Sequence, residues 1–194
     1  MAMARSAAPG SRERILRTAG DLFYRHGVRA VGMNQVIGAA GCGKNLLYTH
    51  FPSKDELVAA YLRACRAVRD RDSAAATAGL GGDPAACLRA LVAEIAASTT
   101  RPDFRGCAFR MYLTEFPEDE GEPARVARDY LRDTRAEIDD LVARLDMPNP
   151  EQLADRIWLI VEGLYASAAR PDAATASAAA TQLVDDLLAA ATPR

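Results

Sequence analysis

The chain has 194 residues, of which 49% are apolar and 26% charged, with a formal net charge of −2. That is enough apolar material for a core of one domain or two small ones, and no apolar run approaches the roughly 18 residues a membrane span needs. The four cysteines (Cys42, Cys65, Cys87, Cys107) show no C-x-x-C spacing, and only His26 and His50 could join them. Zinc and disulfide frameworks are therefore not expected, and reduced thiols of a cytoplasmic protein are the plain reading.

The first ten residues lack an apolar signal region and read as a flexible tail. Ile15, Leu16, Ala19, Leu22 and Phe23 then form an apolar stripe at helical spacing, closed by His26-Gly27. A short piece from Met33 to Ala40 follows, then Gly41-Cys42-Gly43, then Lys44 to His50. Pro52 breaks the chain, and Ser53 with Glu56 has the form of a capping box. Leu57, Val58, Tyr61, Leu62, Cys65 and Val68 line one face of a long helix.

Asp83-Pro84 opens the next helix, with Leu88, Leu91, Val92 and Ile95 at helical spacing. FRGCAFRMYLTEF lies between two breaks, and Val126, Tyr130, Leu131, Thr134, Ile138, Leu141, Val142 and Leu145 keep the period beyond them. Asn149 as cap and Pro150 at the first position open a helix carrying Leu153, Ile157, Trp158, Ile160, Val161, Leu164 and Tyr165. Pro171-Asp172 starts the last, with Leu183, Val184, Leu187 and Leu188. The expectation is all-α, about nine helices and no strand.

Charge is uneven along the chain. Through residue 53, seven basic side chains (Arg5, Arg12, Arg14, Arg17, Arg25, Arg29, Lys44) face two acidic ones (Glu13, Asp21), while the remainder is net acidic. A basic head on an acidic body points to a polyanion met by the head alone. The only two lysines, Lys44 and Lys54, fall in or beside this head.

Gly38 to Asn45, GAAGCGKN, departs from the phosphate-binding loop G-x-x-x-x-G-K-[ST] at one place only. Asn45 stands where a hydroxyl should meet magnesium, and GMNQVIGAA is too short and polar for the buried strand that such a loop requires. Two short helices joined by a glycine-containing turn fit better. That is a helix-turn-helix, whose second helix enters the major groove of DNA. Val36, Ile37, Ala40 and Leu47 would pack inward, and the polar positions 44, 45 and 49 would face DNA.

Phe23, Gly27, Ala39-Ala40-Gly41, Leu47-Tyr48-Thr49-His50-Phe51, Lys54 and Leu57 together resemble the head of TetR-like transcriptional regulators, F-x-x-x-G…A-A-G-V-S…L-Y-x-H-F-x-x-K-x-x-L. Cys42-Gly43 departs from the usual Val-Ser, and Gly32 stands where a Ser or Thr cap is usual. The resemblance implies an all-α homodimer with a head at residues 11–53. Its body, 54–194, would bind a small ligand and pair through the last two helices.

The expected DNA contacts are Asn34, Gln35, Lys44, Asn45, Leu46, Tyr48, Thr49, His50 and Lys54. Lys44 and Lys54 suit phosphate, and Lys44 also guanine. Asn45 suits adenine, and Leu46 and Thr49 suit a thymine methyl. Tyr48 and His50 resemble family residues that hold the DNA backbone. Arg5 or Arg12 would enter the adjacent minor groove or belong to the tail. The expected pocket residues are Cys65, Leu88, Val92, Phe104, Phe109, Met111, Tyr112, Tyr130, Trp158, Val161 and Tyr165, which favour an apolar or aromatic ligand. Core packing is the default reading for each.

The resulting expectation is a ligand-responsive repressor of a palindromic operator. It needs no cofactor, no metal and no membrane, and no catalytic constellation is visible. The rival is a helical small-molecule-binding protein whose head no longer binds DNA. Cys42, in the DNA-facing turn, is a candidate redox-sensitive thiol.

Overall fold

The computed structural model describes residues 10–168 and 173–191. Arg5 and the Pro171-Asp172 helix start lie outside them. Among the described residues there are nine α-helices and no strand. They are α1 (Ser11–His26), α2 (Met33–Ala40), α3 (Lys44–His50), α4 (Lys54–Thr77), α5 (Pro84–Thr99), α6 (Ala108–Glu115), α7 (Glu122–Ala143), α8 (Pro150–Ser167) and α9 (Ala173–Ala191).

The chain divides into two compact units. The first runs to Cys65 and includes Ala108–Arg128; the second comprises Arg66–Cys107 and the chain from Asp129 on. Residues 54–65 and 108–128 therefore group with the head, whereas the sequence alone places a boundary at residue 53.

In the first unit α1 packs on α2 and α3, and α2 on α3. The α1 stripe buries Ile15, Ala19 and Phe23; Val36, Ala40 and Leu47 are buried on the two short helices. Phe23 meets the ring of Tyr61 at 5.7 Å between centroids.

The turn between α2 and α3 has a definite cause. Gly41 takes φ 58°, a left-handed conformation open to glycine at little strain. The Cys42 amide then donates to the Ile37 carbonyl (3.2 Å) and the Gly41 amide to that of Gly38 (3.3 Å). These two bonds are a Schellman motif, which ends α2 and satisfies its last carbonyls. Gly43 is different. Its backbone is extended, and a Cβ there would meet nothing within 4 Å. Packing does not require glycine at position 43.

In the second unit α5, α8 and α9 pack together around Leu88, Val92, Ile157, Val161, Leu164, Val184 and Leu188. Asp83 caps α5 as its sequence indicates, its carboxylate accepting from the amides of Ala85 (2.9 Å) and Ala86 (3.1 Å). Ser53 likewise accepts from the Glu56 amide at 3.1 Å.

Three sequence assignments need correction. Asn149 makes no side-chain cap; it sits in the left-handed region with φ 58°. Val68 is 44% exposed, because the inward face of α4 continues instead through Arg69, Ser73 and Thr77, each four residues on. Leu183 is 51% exposed, with Val184 and Leu188 facing the core in its place.

Candidate nucleic-acid interface and ligand cavity

Helices α2 and α3 divide cleanly into two faces. Val36, Ala40 and Leu47 point inward, while Asn34, Gln35, Lys44, Asn45, Tyr48 and Thr49 are exposed. Neither Gly32 nor Gly43 supplies a side-chain cap to its helix. Lys44 places its Nζ 5.9 Å from the Tyr48 ring centroid, one turn further along the same face. The Thr49 hydroxyl donates to the Asn45 carbonyl at 2.8 Å, which fixes its rotamer on that face.

The remaining predicted contacts are less open. Leu46 and Lys54 are half-buried, and burial pulls the Lys54 pKa down against the raising influence of Glu115 and Asp55. His50 is also half-buried, with its Nε2 enclosed and without a hydrogen-bond partner. Arg12 lies over the Phe51 ring at 5.0 Å, close to the end of α3.

One residue essential to the head's geometry escaped the sequence reading. The Glu115 carboxylate accepts from the amides of Val28 (3.1 Å) and Arg29 (2.7 Å), in the loop that enters α2. Arg29 in turn donates to the Glu115 carbonyl and covers the Phe116 ring at 4.6 Å. Gly27 makes this approach possible. It holds φ 82° and ψ 151°, and a Cβ there would stand 2.9 Å from the Glu115 carboxylate. No local sequence signal marks Glu115, since its partners lie 86 and 87 positions away.

The second unit contains a cavity of about 370 Å³ among α4, α5, α7 and α8. Of the predicted pocket residues, Leu88, Val92, Tyr130 and Val161 line it. Phe104 stacks on Tyr165 at 6.2 Å, and Trp158 and Tyr165 pack against the core of this unit, outside the lining. Cys65, Phe109, Met111 and Tyr112 belong to the first unit. There the Tyr112 hydroxyl donates to Asp119 at 2.6 Å, which helps hold that carboxyl below its ordinary range.

The sequence reading missed the polar side of this cavity: Arg69, Asp70, Ser73 and Thr77 on α4, Glu94 on α5, and Thr134 and Glu137 on α7. Arg69 and Glu94 form a two-bond ion pair (2.8 and 2.5 Å). A signal did exist. Thr134 and Glu137 interrupt the stripe that runs from Tyr130 to Ile138, and polar residues on an otherwise apolar stripe mark a place where the core is not filled.

Among the described residues no cluster of three potential metal ligands occurs, and no helix is long and apolar enough to cross a membrane. None of the four cysteines is in a disulfide.

By its fold and this face, the head is a helix-turn-helix carried on an all-α protein. Residues 15–61 match the model of bacterial regulatory proteins of the tetR family, and the chain is TetR-like.

YxaF of Bacillus subtilis (strain 168), an uncharacterized HTH-type transcriptional regulator, is 48% identical over 48 residues. That segment is 24% of this chain and 25% of that protein. The chain thus matches about a quarter of the length of the curated relatives. SCO4454, a TetR-family transcriptional regulator from Streptomyces coelicolor, has the same fold with a TM-score of 0.87 and 24% identity, over 94% of this chain and 96% of that one. The sav143 protein from Streptomyces avermitilis, a candidate tetr-transcriptional regulator, gives a TM-score of 0.71 at 28% identity, over 93% and 97%.

Proposed function

We propose that this chain is a DNA-binding transcriptional regulator of the cytoplasm, a repressor released from a palindromic operator by a small molecule. The observation that carries this reading is the exposed row Lys44, Asn45, Tyr48 and Thr49 on a helix whose opposite side is buried through Leu47. A lysine beside a tyrosine suits phosphate, and an exposed Asn with an exposed Thr suits base edges. Asn34 and Gln35 extend the row on α2, and Lys54 and His50 flank it. Leu46 contributes to a thymine methyl only through its exposed edge.

A palindrome requires two heads, hence a dimer. Leu159 on α8 is 68% exposed and Leu183 on α9 is 51% exposed, which is unusual for leucines on helices that otherwise bury their apolar faces. Exposed Gly163 and Ala166 share the Leu159 side of α8, and exposed Ala179 and Ala190 share that of Leu183 on α9. Small residues beside a leucine allow two copies of this helix pair to approach closely, as a two-fold four-helix interface requires. The cavity of the second unit is the ligand site. A ligand that binds one dimer conformation better than the other shifts the population away from DNA-competent spacing.

Selecting bound duplexes from a random pool tests this reading. The expected product is an inverted repeat whose half-sites lie about one helical turn or more apart. Recovery of no enriched sequence would favour the rival, a ligand-binding protein with a silent head.

A further inference from the structure

We propose that the cavity of the second unit binds an organic cation, an ammonium group on an apolar body, with Glu137 as its counter-ion. This rests on the reading of that unit as the ligand-binding part of the protein and specifies the ligand's chemistry.

One wall of the cavity is aliphatic: Leu88, Leu91, Val92 and Ile95 of α5, Ile138 of α7 and Val161 of α8. A wall of that kind holds an apolar body and gives it no charge preference. The facing wall decides the charge. Its one cation, Arg69, is already matched by Glu94 through two parallel bonds, in a setting where both side chains are about four-fifths covered. That pairing leaves the guanidinium no net pull on an anion. What remains at Arg69 is its Nε, enclosed and without a hydrogen-bond partner. A neutral acceptor, water or a ligand hydroxyl, satisfies that donor without bringing negative charge.

The carboxylates on the same wall are not balanced. Asp70, at the rim, lies 3.5 Å from Arg66, which is bonded more closely to Asp133 at 2.7 Å. Glu137 has no basic partner among the described residues. Its one hydrogen bond is a long 3.4 Å contact from the Ser73 hydroxyl. Burial holds the Glu137 carboxyl above its ordinary range, and Asp70 pushes it the same way. A carboxylate on the cavity wall, repelled by a neighbour and lacking a cation, is stabilised by any cation that enters beside it. An anionic ligand meets the opposite: like charge from Glu137 and Asp70, and an Arg69 already occupied.

Calorimetric titration of the full chain with decylamine, decanol and decanoate at neutral pH separates charge from shape. The protonated amine is expected to bind about tenfold more tightly than the alcohol, and decanoate to bind most weakly. Glu137→Gln is expected to remove most of the amine's advantage while leaving the alcohol's affinity unchanged. Glu137→Asp, which keeps the charge, retains part of it and guards against a merely structural effect. Tightest binding of decanoate, an amine preference that survives Glu137→Gln, or binding of none of the three would overturn the proposal. DNA binding is measured on the same samples. A chain that holds DNA but prefers no cation loses only the cation site; a chain that prefers the cation but holds no DNA loses only the regulator reading.

Discussion

Gly27→Ala is expected to destabilise the head by about 2–4 kcal/mol. Two effects add. The φ 82°, ψ 151° backbone is nearly closed to residues with a Cβ. The new methyl would also stand 2.9 Å from a Glu115 oxygen, inside van der Waals contact. The carboxylate cannot retreat freely, because it holds the Val28 and Arg29 amides that lead into α2. Relief of the clash therefore releases both amides, and the start of α2 with them. Gly27→Ala in a Glu115→Ala background is the control, because the new methyl there meets no carboxylate. Urea unfolding of Gly27→Ala with and without Glu115→Ala separates backbone strain from the loss of the Glu115 anchor. Equal destabilisation by the glycine substitution in the two backgrounds would show that Glu115 contributes nothing to it.

The second large effect concerns assembly. Leu159→Lys together with Leu183→Glu is expected to give a folded monomer by light scattering, since both side chains are exposed in the single chain and neither fills its core. On an operator with two half-sites, the monomer is expected to bind 10²- to 10⁴-fold more weakly, the usual loss when a second linked contact is removed. Variants that remain dimeric would place the interface elsewhere.

The helices were legible because their signals are local. Asp83-Pro84 announces α5, and the glycine-bounded turn at 41–43 announces the α2–α3 junction, where Gly41 alone needs its left-handed conformation. The row of exposed residues on α3 was legible for the same reason. Burial of Leu47 turns Asn45 and Thr49, two positions to either side, to the far face of a seven-residue helix and leaves Lys44 and Tyr48 exposed on its flank.

The cavity was not legible in this way. Arg69 and Glu94, or Ser73 and Glu137, meet only when separate helices are packed, and their partners lie 25 and 64 positions apart. Aromatic content pointed to Phe104, Trp158 and Tyr165; Phe104 stacks on Tyr165, and Trp158 and Tyr165 pack against the core of the second unit, outside the cavity lining. Glu115 shows the same limit. Nothing near it in sequence says that its carboxylate replaces a cap on a loop 86 residues earlier.

The basic face of α3 as a DNA-binding surface is tested most directly by salt dependence. Affinity for the selected duplex, measured by fluorescence anisotropy across a range of salt, is expected to fall steeply, with a log–log slope set by the number of phosphates neutralised. Lys44→Ala is expected to weaken binding and to reduce that slope by about one for each head in contact. An affinity indifferent to salt, or a Lys44→Ala variant with unchanged affinity and slope, would contradict the account.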